Sequence, residues 1–374
     1  MHVRRTVRTL SRRLLAAAAA LTAAAGLAGA ATAATGSLYA VDITHPASGV
    51  WLGSHLWLSD NLYRFCRLDP SAATVDLFGM PKPTGVALPN QSSAATCPYG
   101  STGVAVKPGQ PDYDPLSGYV YVPDRSSKNS VGVARYAYDP ATETMSGFGP
   151  LVFGDRGGQV LAPTQGLGGL RPDAVALGPD GNLYVGSLNT GDIKRINAPA
   201  GPVAAQTVQT IGKSSKGGRV FGLRFIGPDL YLAEKNGLTV IRNATSPSCT
   251  GGCQAVLLPN ASTVETNALA SNGVDTLYYV QAGAVLRYSI PAAQSVVYAT
   301  TGVLTPDQVP TGFARWYVGD CIGTMCSFAF QPGNPASLTL DAQGNLFVGD
   351  DPDTTDSSLY GRVWEIPAGS APGA

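Results

Sequence analysis

Short apolar runs of four to six residues alternate along this chain with turns built from Gly, Pro, Asp and Asn. The stretch from Arg171, RPDAVALGPDGNLYVGSLNTGDIKRINAP, shows the pattern: an apolar run, an Asp-Gly turn, a second run, a loop and a third run. Runs this short, closed by turn residues, predict β-strands, and Asp-Gly between two of them predicts a hairpin. Convincing helical periodicity is absent after the N-terminal region, and 45 glycines and 28 prolines suit a turn-dense all-β chain.

The pattern repeats. From Asn334 the chain reads NPASLTLDAQGNLFVGDDPDTTDSSLYGRVWEIPAG, so that Pro335 matches Pro172 and residues 344–349 (GNLFVG) match 181–186 (GNLYVG). Weaker copies begin at Ser48 (SGVWLGSHLWLSDNLYRFCRLDP), Gly103 (GVAVKPGQPDYDPLSGYVYVPD, continuing into VGVARYAYDP), Val220 and Asn267. Six copies, each of three to four strands at a period of roughly 45 to 70 residues, predict propeller blades rather than solenoid coils. The pattern Pro-x-x-apolar-x-apolar-x-x-x-Gly-Asn-Leu-Tyr-Val resembles the NHL-type propeller repeat, whose superfamily also contains gluconolactonase/regucalcin-like enzymes and peptide-amidating lyases. The resemblance implies an all-β, six-bladed β-propeller covering nearly the whole mature chain, and a fold alone does not give a function. The segment TGSLYAVDI (35–43) reads as a strand suited to closing the ring beside the last blade, since closure removes exposed edges.

The N-terminus stands apart. MHVRRTVRTLSRR is basic without an acid, a 17-residue alanine-rich apolar run follows, and AGA and ATA fit a small-x-small cleavage site. Residues 1–34 therefore read as a cleaved signal peptide, with 35–374 as one secreted propeller domain. Arg12 and Arg13 partly match a twin-arginine signal, which leaves the Sec and twin-arginine routes both open. Cleavage removes five of the 25 basic residues and none of the 25 acids, so the mature chain carries about −5. With no basic stripe and no second long apolar segment, nucleic acid and a membrane span are both excluded from the expectation.

Six cysteines in an exported chain predict disulfides. CTGGC (Cys249, Cys253) and CIGTMC (Cys321, Cys326) are close enough for loop entropy to favour pairing, which leaves Cys66 with Cys97. The spacings are not those of a zinc site or of a haem attachment site.

Candidate chemistry is sparse. His45 and His55 are the two histidines of the mature chain. Aligning the copies puts His55 at the hairpin turn of blade one and His45 before its innermost strand, at the top mouth of the channel. Strands of four to five residues separate two such positions by roughly 15 Å, too far to share one ion. His55 is expected to be a turn or packing residue, and His45 either a ligand contact or a structural hydrogen bonder. The alignment also gathers Arg171, Asp173, Arg219, Glu265, Asn267 and Asn334 at the starts of the inner strands, and Asp60, Asp124, Glu234 and Asp350 at the ends of the second strands. Asp350, Asp351, Asp353 and Asp356 form the densest set of oxygen ligands, open to a hard cation such as calcium or to ordinary turn chemistry. Two long insertions, 141–170 and 304–333, precede inner strands and are expected to cover the top, for recognition or as a plug. The gluconolactonase resemblance implies a channel metal held by glutamate, asparagines and aspartate. Glu265, Asn267, Asp173 and Asn334 supply those types, but the family's Glu-Gly-Pro motif is absent. No Gly-x-Ser-x-Gly elbow or phosphate loop is present. The reading is a secreted module that binds a protein or small-molecule ligand through its top face, with a metal-dependent hydrolase or lyase in the channel mouth as the alternative.

Overall fold

The computed structural model describes residues 37–43, 46–60, 64–68, 72–75, 81–84, 109–123, 132–146, 159–161, 170–215, 218–249, 252–261, 263–281, 284–299, 335–350, 361–366 and 368, and four two-residue strands between 303 and 329. His45, Cys97, Asp124, Asn334, Asp351, Asp353 and Asp356 lie outside them.

Six antiparallel sheets follow one another along the chain. The first holds Pro46–Leu52, His55–Asp60 and Arg64–Arg67. The second is built on Asp112–Asp114, Tyr119–Pro123 and Val133–Asp139. The third runs Pro172–Leu177, Leu183–Ser187, Asp192–Asn197 and Thr207–Lys213, and the fourth Val220–Ile226, Asp229–Glu234, Gly237–Ile241 and Val256–Leu257. The fifth is Thr266–Ser271, Thr276–Gln281, Ala284–Ser289 and Gln294–Ala299. In the sixth, Pro335–Leu340, Leu346–Asp350 and Gly361–Ile366 are joined by Ser37–Ile43, which pairs antiparallel with Gly361–Ile366. The N-terminal strand thus completes the last sheet, as its position before the first copy suggested.

This is an all-β propeller. Five sheets have the four or more strands of a complete blade, where the repeat predicts six. The first sheet has three described strands, because a fourth would have to come from 69–108, where the description is limited to a separate pair, Ala72–Val75 with Pro81–Thr84.

Two sequence expectations shift in the second sheet. The apolar run at Gly103 predicted its inner strand, but that strand is the short Asp112–Asp114. The insertion expected to cover the top instead supplies outer strands: Thr144–Ser146 and Gln159–Leu161 both pair with Val133–Asp139. One edge of Val133–Asp139 is taken by Tyr119–Pro123, so the two short strands share the other.

The core is not one mass but six apolar clusters, each packed between two neighbouring sheets. Trp57, Phe65 and Val50 meet Val120, Tyr136 and Tyr138 between the first and second. Tyr121 and Val133 meet Val175, Val185 and Ile196 between the second and third, and Tyr184 and Ile193 meet Leu223 and Leu232 between the third and fourth. The fourth and fifth sheets, and the fifth and sixth, pack likewise. Leu56 and Leu58 of the first sheet then meet Phe347 and Val363 of the sixth, where Trp51 stacks on Phe347 at 4.6 Å. Strands wedged between two packed faces are apolar on both, which is why they read as continuous runs rather than as strict alternation.

Five inner strands carry a β-bulge at their start: after Pro46, Pro172, Val220, Thr266 and Pro335. Just past the bulges sit small buried residues, Ser48, Ala174, Gly222, Ala268 and Ser337. Space explains them: a Cβ on Gly222 would lie 2.9 Å from both Gln110 Oε1 and Leu269 Cβ.

Gln110 closes the axis. Its backbone N–H donates to Asp173 O at 2.6 Å and its C=O accepts from Val175 N at 3.1 Å, making a parallel bridge onto the inner strand of the third sheet. Its side-chain carboxamide reaches the fourth sheet, accepting from Leu223 N at 3.2 Å and donating to Leu223 O at 3.1 Å and to Leu269 O at 3.5 Å. Inner strands have no neighbour on the channel side, so their backbone groups need such partners. Replacing Gln110 by Ala would leave the Leu223 N–H unpaired in a buried position and strip one of two donors from its carbonyl, which keeps Arg224 Nη1. The expected cost is about 2 kcal/mol in urea unfolding, with a lower midpoint and unchanged slope; an unchanged midpoint would show that the carboxamide is not holding these strands.

Candidate functional site

The top rim of the propeller is defined by two ladder positions. Arg171, Arg219 and Glu265 each immediately precede the first residue of an inner strand, and so, in the chain, do His45 and Asn334. Opposite those first residues, on the second strands, stand Asp60, Ser187, Glu234, Gln281 and Asp350. Among the described residues, Arg171, Arg219 and Glu265 are thus equivalent positions of successive sheets, and so are Asp60, Glu234 and Asp350 on the second strands.

Their environments differ. Arg219 and Glu265 are exposed, and Arg171 and Asn267 half-buried. Asp173 sits at the bulge and is buried, with its carbonyl holding the Gln110 N–H, so it belongs to the channel wall. The Arg171 N–H donates to Asn189 Oδ1, and Ser187 Oγ bonds Asn189, Thr190 N and Thr190 Oγ1 in one tight turn. Gln281 Nε2 donates to Val264 O at 2.8 Å.

Glu234 is the unusual member. It is fully buried, its Oε1 accepts from Ser215 N at 3.1 Å, and its Oε2 has no partner. The Thr239 Oγ1 of the adjacent strand is also buried and unpartnered. Burial pushes the Glu234 carboxyl above its ordinary value, against the lowering effect of the Thr239 and Ser215 groups around it. The side chain is therefore driven toward its neutral form, in which it becomes a hydrogen-bond donor. Its place at a strand end was legible in the alignment; its burial was not, because it depends on Ser215 coming against it from the preceding sheet's connection, where Ser214 Oγ donates to Gly218 O and Asn236 Nδ2 to Ser215 O.

His55 lies at the hairpin end of the first sheet, beginning His55–Asp60 just after the Gly53–Ser54 turn, where it was expected. Its partner was not legible in the repeat. His55 Nδ1 contacts Glu143 Oε2, which arrives from the second sheet, and Ser54 donates to Glu143 through both its N–H at 2.8 Å and its Oγ at 3.0 Å. Arg67 Nη1 donates to Glu143 O at 2.9 Å. Ser54 and Glu143 both bond the same His55 nitrogen side and each other, so the group is a clasp between sheets rather than a proton relay with a free nucleophile.

Cys249 and Cys253 are joined by a disulfide with Cα atoms 5.0 Å apart. Cys253 then pairs in parallel with Gly212, stapling a segment of the fourth sheet to the edge of the third. Cys321 and Cys326 face each other as cross-strand partners, a position whose Cα separation of about 4.5–5.5 Å a disulfide spans. Cys66 lies on Arg64–Arg67, while its expected partner Cys97 is outside the described residues. The acidic run keeps only Asp350 in a described strand, and no group of three metal-ligating side chains forms among the described residues. No described helix is long and apolar enough to cross a membrane.

Fold and rim define the protein as a propeller with a polar mouth. No model of a known protein family matches the chain, and no curated protein does either. Similar solved structures include an auxiliary nutrient binding protein from Bacteroides thetaiotaomicron, at 11% identity over 87% of this chain and 70% of that one, with a TM-score of 0.47. Streptogramin B lyase is similar at 13% identity over 90% of this chain and 100% of that one, with a TM-score of 0.44. The periplasmic gluconolactonase of Pseudomonas aeruginosa is similar at 16% identity over 69% and 72%, with a TM-score of 0.41. Likeness at this level does not bear on activity.

Glu234 carries a pH signature. Its folded value exceeds its unfolded one, so the folded state binds more protons over the window from the ordinary glutamate value up to the raised one, and stability falls as pH rises through that window. Glu234→Gln keeps the Ser215 contact, offers Thr239 a donor and cannot ionise. Its melting temperature should exceed the wild type's at pH 8, with the gap closing near pH 4; an equal gap at both would show that Glu234 ionisation does not oppose folding.

Proposed function

We propose that this chain is an exported binding module that takes a protein or small-molecule ligand on its top rim. In this reading residues 1–34 are a removed signal peptide and 35–374 form a single NHL-like propeller. The three-stranded first sheet is its sixth blade: its inner strand lies beside those of the second and sixth sheets, its bulge matches theirs in position, and apolar clusters bind it on both sides. The Cys249–Cys253 disulfide suits an oxidising compartment.

The observation that carries the binding reading is the rim itself. Exposed Arg219 and Glu265 and half-buried Arg171 and Asn267 stand at the same end of three successive inner strands, which Gln110 ties together. Charged and polar groups gathered at one end of neighbouring strands suit recognition of an external polar group. The alternative, a metal-dependent hydrolase or lyase, would draw on Asp173, Glu265, Asn267 and Asn334, or on the acidic run Asp350, Asp351, Asp353 and Asp356, with a divalent cation such as calcium.

Two measurements separate the readings. Elemental analysis of the purified mature protein is expected to find no stoichiometric divalent ion, and binding to a glycan and peptide array is expected to be lost in the Arg171→Glu, Arg219→Glu, Glu265→Lys triple variant. A stoichiometric ion whose removal abolishes lactone or ester turnover would establish the enzyme reading instead, and array binding that survives the triple variant would move the site off the rim.

A further inference from the structure

Charge is unevenly placed along this chain. Residues 213–242 hold six basic residues and two acids, whereas the whole chain has 25 of each. Arg242 is taken by Asp229 at the hairpin end of the fourth sheet. Three of the others gather at the opposite end. Lys213 closes Thr207–Lys213 of the third sheet, Arg219 immediately precedes Val220–Ile226 of the fourth, and Lys235 follows Asp229–Glu234. All three are exposed.

Principles of strand pairing put them at one end, and printed contacts bring them together. The Lys235 N–H donates to Arg219 O at 2.9 Å. Between Lys213 and Arg219 the chain bonds to itself: the Gly218 N–H donates to Ser215 O at 3.2 Å, and Ser214 Oγ to Gly218 O at 2.7 Å. It is also fastened to the turn that carries Lys235. Asn236 Nδ2 donates to Ser215 O at 2.7 Å, and the Ser215 N–H donates to Glu234 Oε1 at 3.1 Å. The approach is close, since a Cβ on Gly218 would lie 2.7 Å from Asn236 Nδ2. The three cations thus stand on one bonded surface, whose backbone needs little further ordering when a ligand arrives.

Little opposes their charge. Glu234, next to Lys235, is buried and turned to the Ser215 N–H. Asp192 meets Lys213 Nζ at 3.4 Å, but that lysine is 55% exposed, and exposed pairs of this kind are weak. Among the described residues, Arg219 and Lys235 have no ion-pair partner. Half-buried Asn236 spends its Nδ2 on Ser215, which leaves its Oδ1 to accept a hydrogen bond from outside.

We propose that this surface is where the top rim selects its ligand, and that the ligand is an acidic glycan: its sulfate or carboxylate groups pair with Lys213, Arg219 and Lys235, and a sugar hydroxyl donates to Asn236 Oδ1. The proposal rests on the reading of the rim as a binding face. A cluster of exposed cations is complementary to an anion. The acceptor beside them fits a ligand that also carries hydroxyl donors, as an acidic sugar does and a DNA duplex does not. Three cations are few for a duplex, whose binders commonly contact about six to ten phosphates. Residues 213–219 and 234–237 include no aromatic side chain on which a base could stack.

The test is binding of the full purified chain to dextran sulfate and to polygalacturonate, with neutral dextran and a DNA duplex as comparisons. Both acidic polysaccharides are expected to bind and neutral dextran is not. Affinity should fall about tenfold between roughly 50 and 200 mM sodium chloride. The Lys213→Gln, Lys235→Gln double variant, with a native melting curve, is expected to bind about tenfold more weakly. Arg242→Gln removes a charge at the opposite end and should leave binding unchanged, which separates a local site from net charge. Binding of neither acidic polysaccharide, tighter binding of the duplex, or an equal loss in Arg242→Gln would each overturn the proposal. The two readings fail differently. Array binding that survives the Arg171, Arg219 and Glu265 triple variant removes the rim itself. A double variant that binds acidic glycan as the wild type does, while the triple variant has lost array binding, removes this proposal and leaves the rim. Should the double variant fail to fold, the single Lys235→Gln change takes its place.

Discussion

The arrangement of this propeller depends on one side chain, the Gln110 carboxamide, lying across the axis. Inner strands of a propeller converge on a line where each has a free backbone edge. Gln110 bonds the third sheet through its backbone and the fourth and fifth through its side chain, so three sheets are tied at one point. The amide group matches a peptide unit in donors and acceptors, which lets it stand in for a strand that geometry cannot supply. The small residues past the bulges, and Gly109, whose Cβ would lie 2.0 Å from Asp173 O, are the steric counterpart of that close approach.

The two ends of the sheets are built differently. The top end is formed by bulged strand starts and strand ends, which carry Arg, Asp, Glu and Gln at equivalent positions. A bulge re-aims side chains at the point where pairing begins, which is why this rim presents polar groups rather than burying them. The hairpin end is made of tight turns held by Asp and Asn side chains, as at Asp114 and Asn272, with Leu116 and Val274 exposed at two of the tips.

Ring integrity rests on neighbours. Each apolar cluster spans two sheets, and polar links reinforce particular seams: Arg135 reaches Pro199 O and Gly201 O, Glu143 clasps Ser54 and His55, and the Cys249–Cys253 staple holds the fourth sheet's connection to the third. The Glu143 clasp joins the hairpin turn of the first sheet to the turn that follows Val133–Asp139 of the second. Glu143 adopts a left-handed backbone conformation there, φ 49°, and a Cβ on Gly53 would fall 2.3 Å from its Oε1. The Gly53–Ser54 turn is small because the carboxylate of a distant hairpin lies on it.

The sequence by itself determined what is local and repeated. Apolar runs closed by Asp-Gly or Gln-Gly turns specified strands and hairpins, the period specified blades, and alignment of the copies put Arg171, Arg219 and Glu265 at one position of successive inner strands. Nearby cysteines specified the Cys249–Cys253 bond through loop entropy. What the tertiary structure alone decided is everything that joins residues far apart in the chain without a repeat to announce it. Gln110 meets Leu223 over 113 positions and His55 meets Glu143 over 88. No pattern marks such a pair, because the partner is chosen by the closing of the ring and not by neighbouring residues. The second copy shows the limit most clearly: GVAV at 103–106 has the better strand pattern, yet Asp112–Asp114 forms the inner strand. The reason is that Gln110 and Asp112 bond backbone groups of the third and fourth sheets, and those bonds exist only once these sheets are in place.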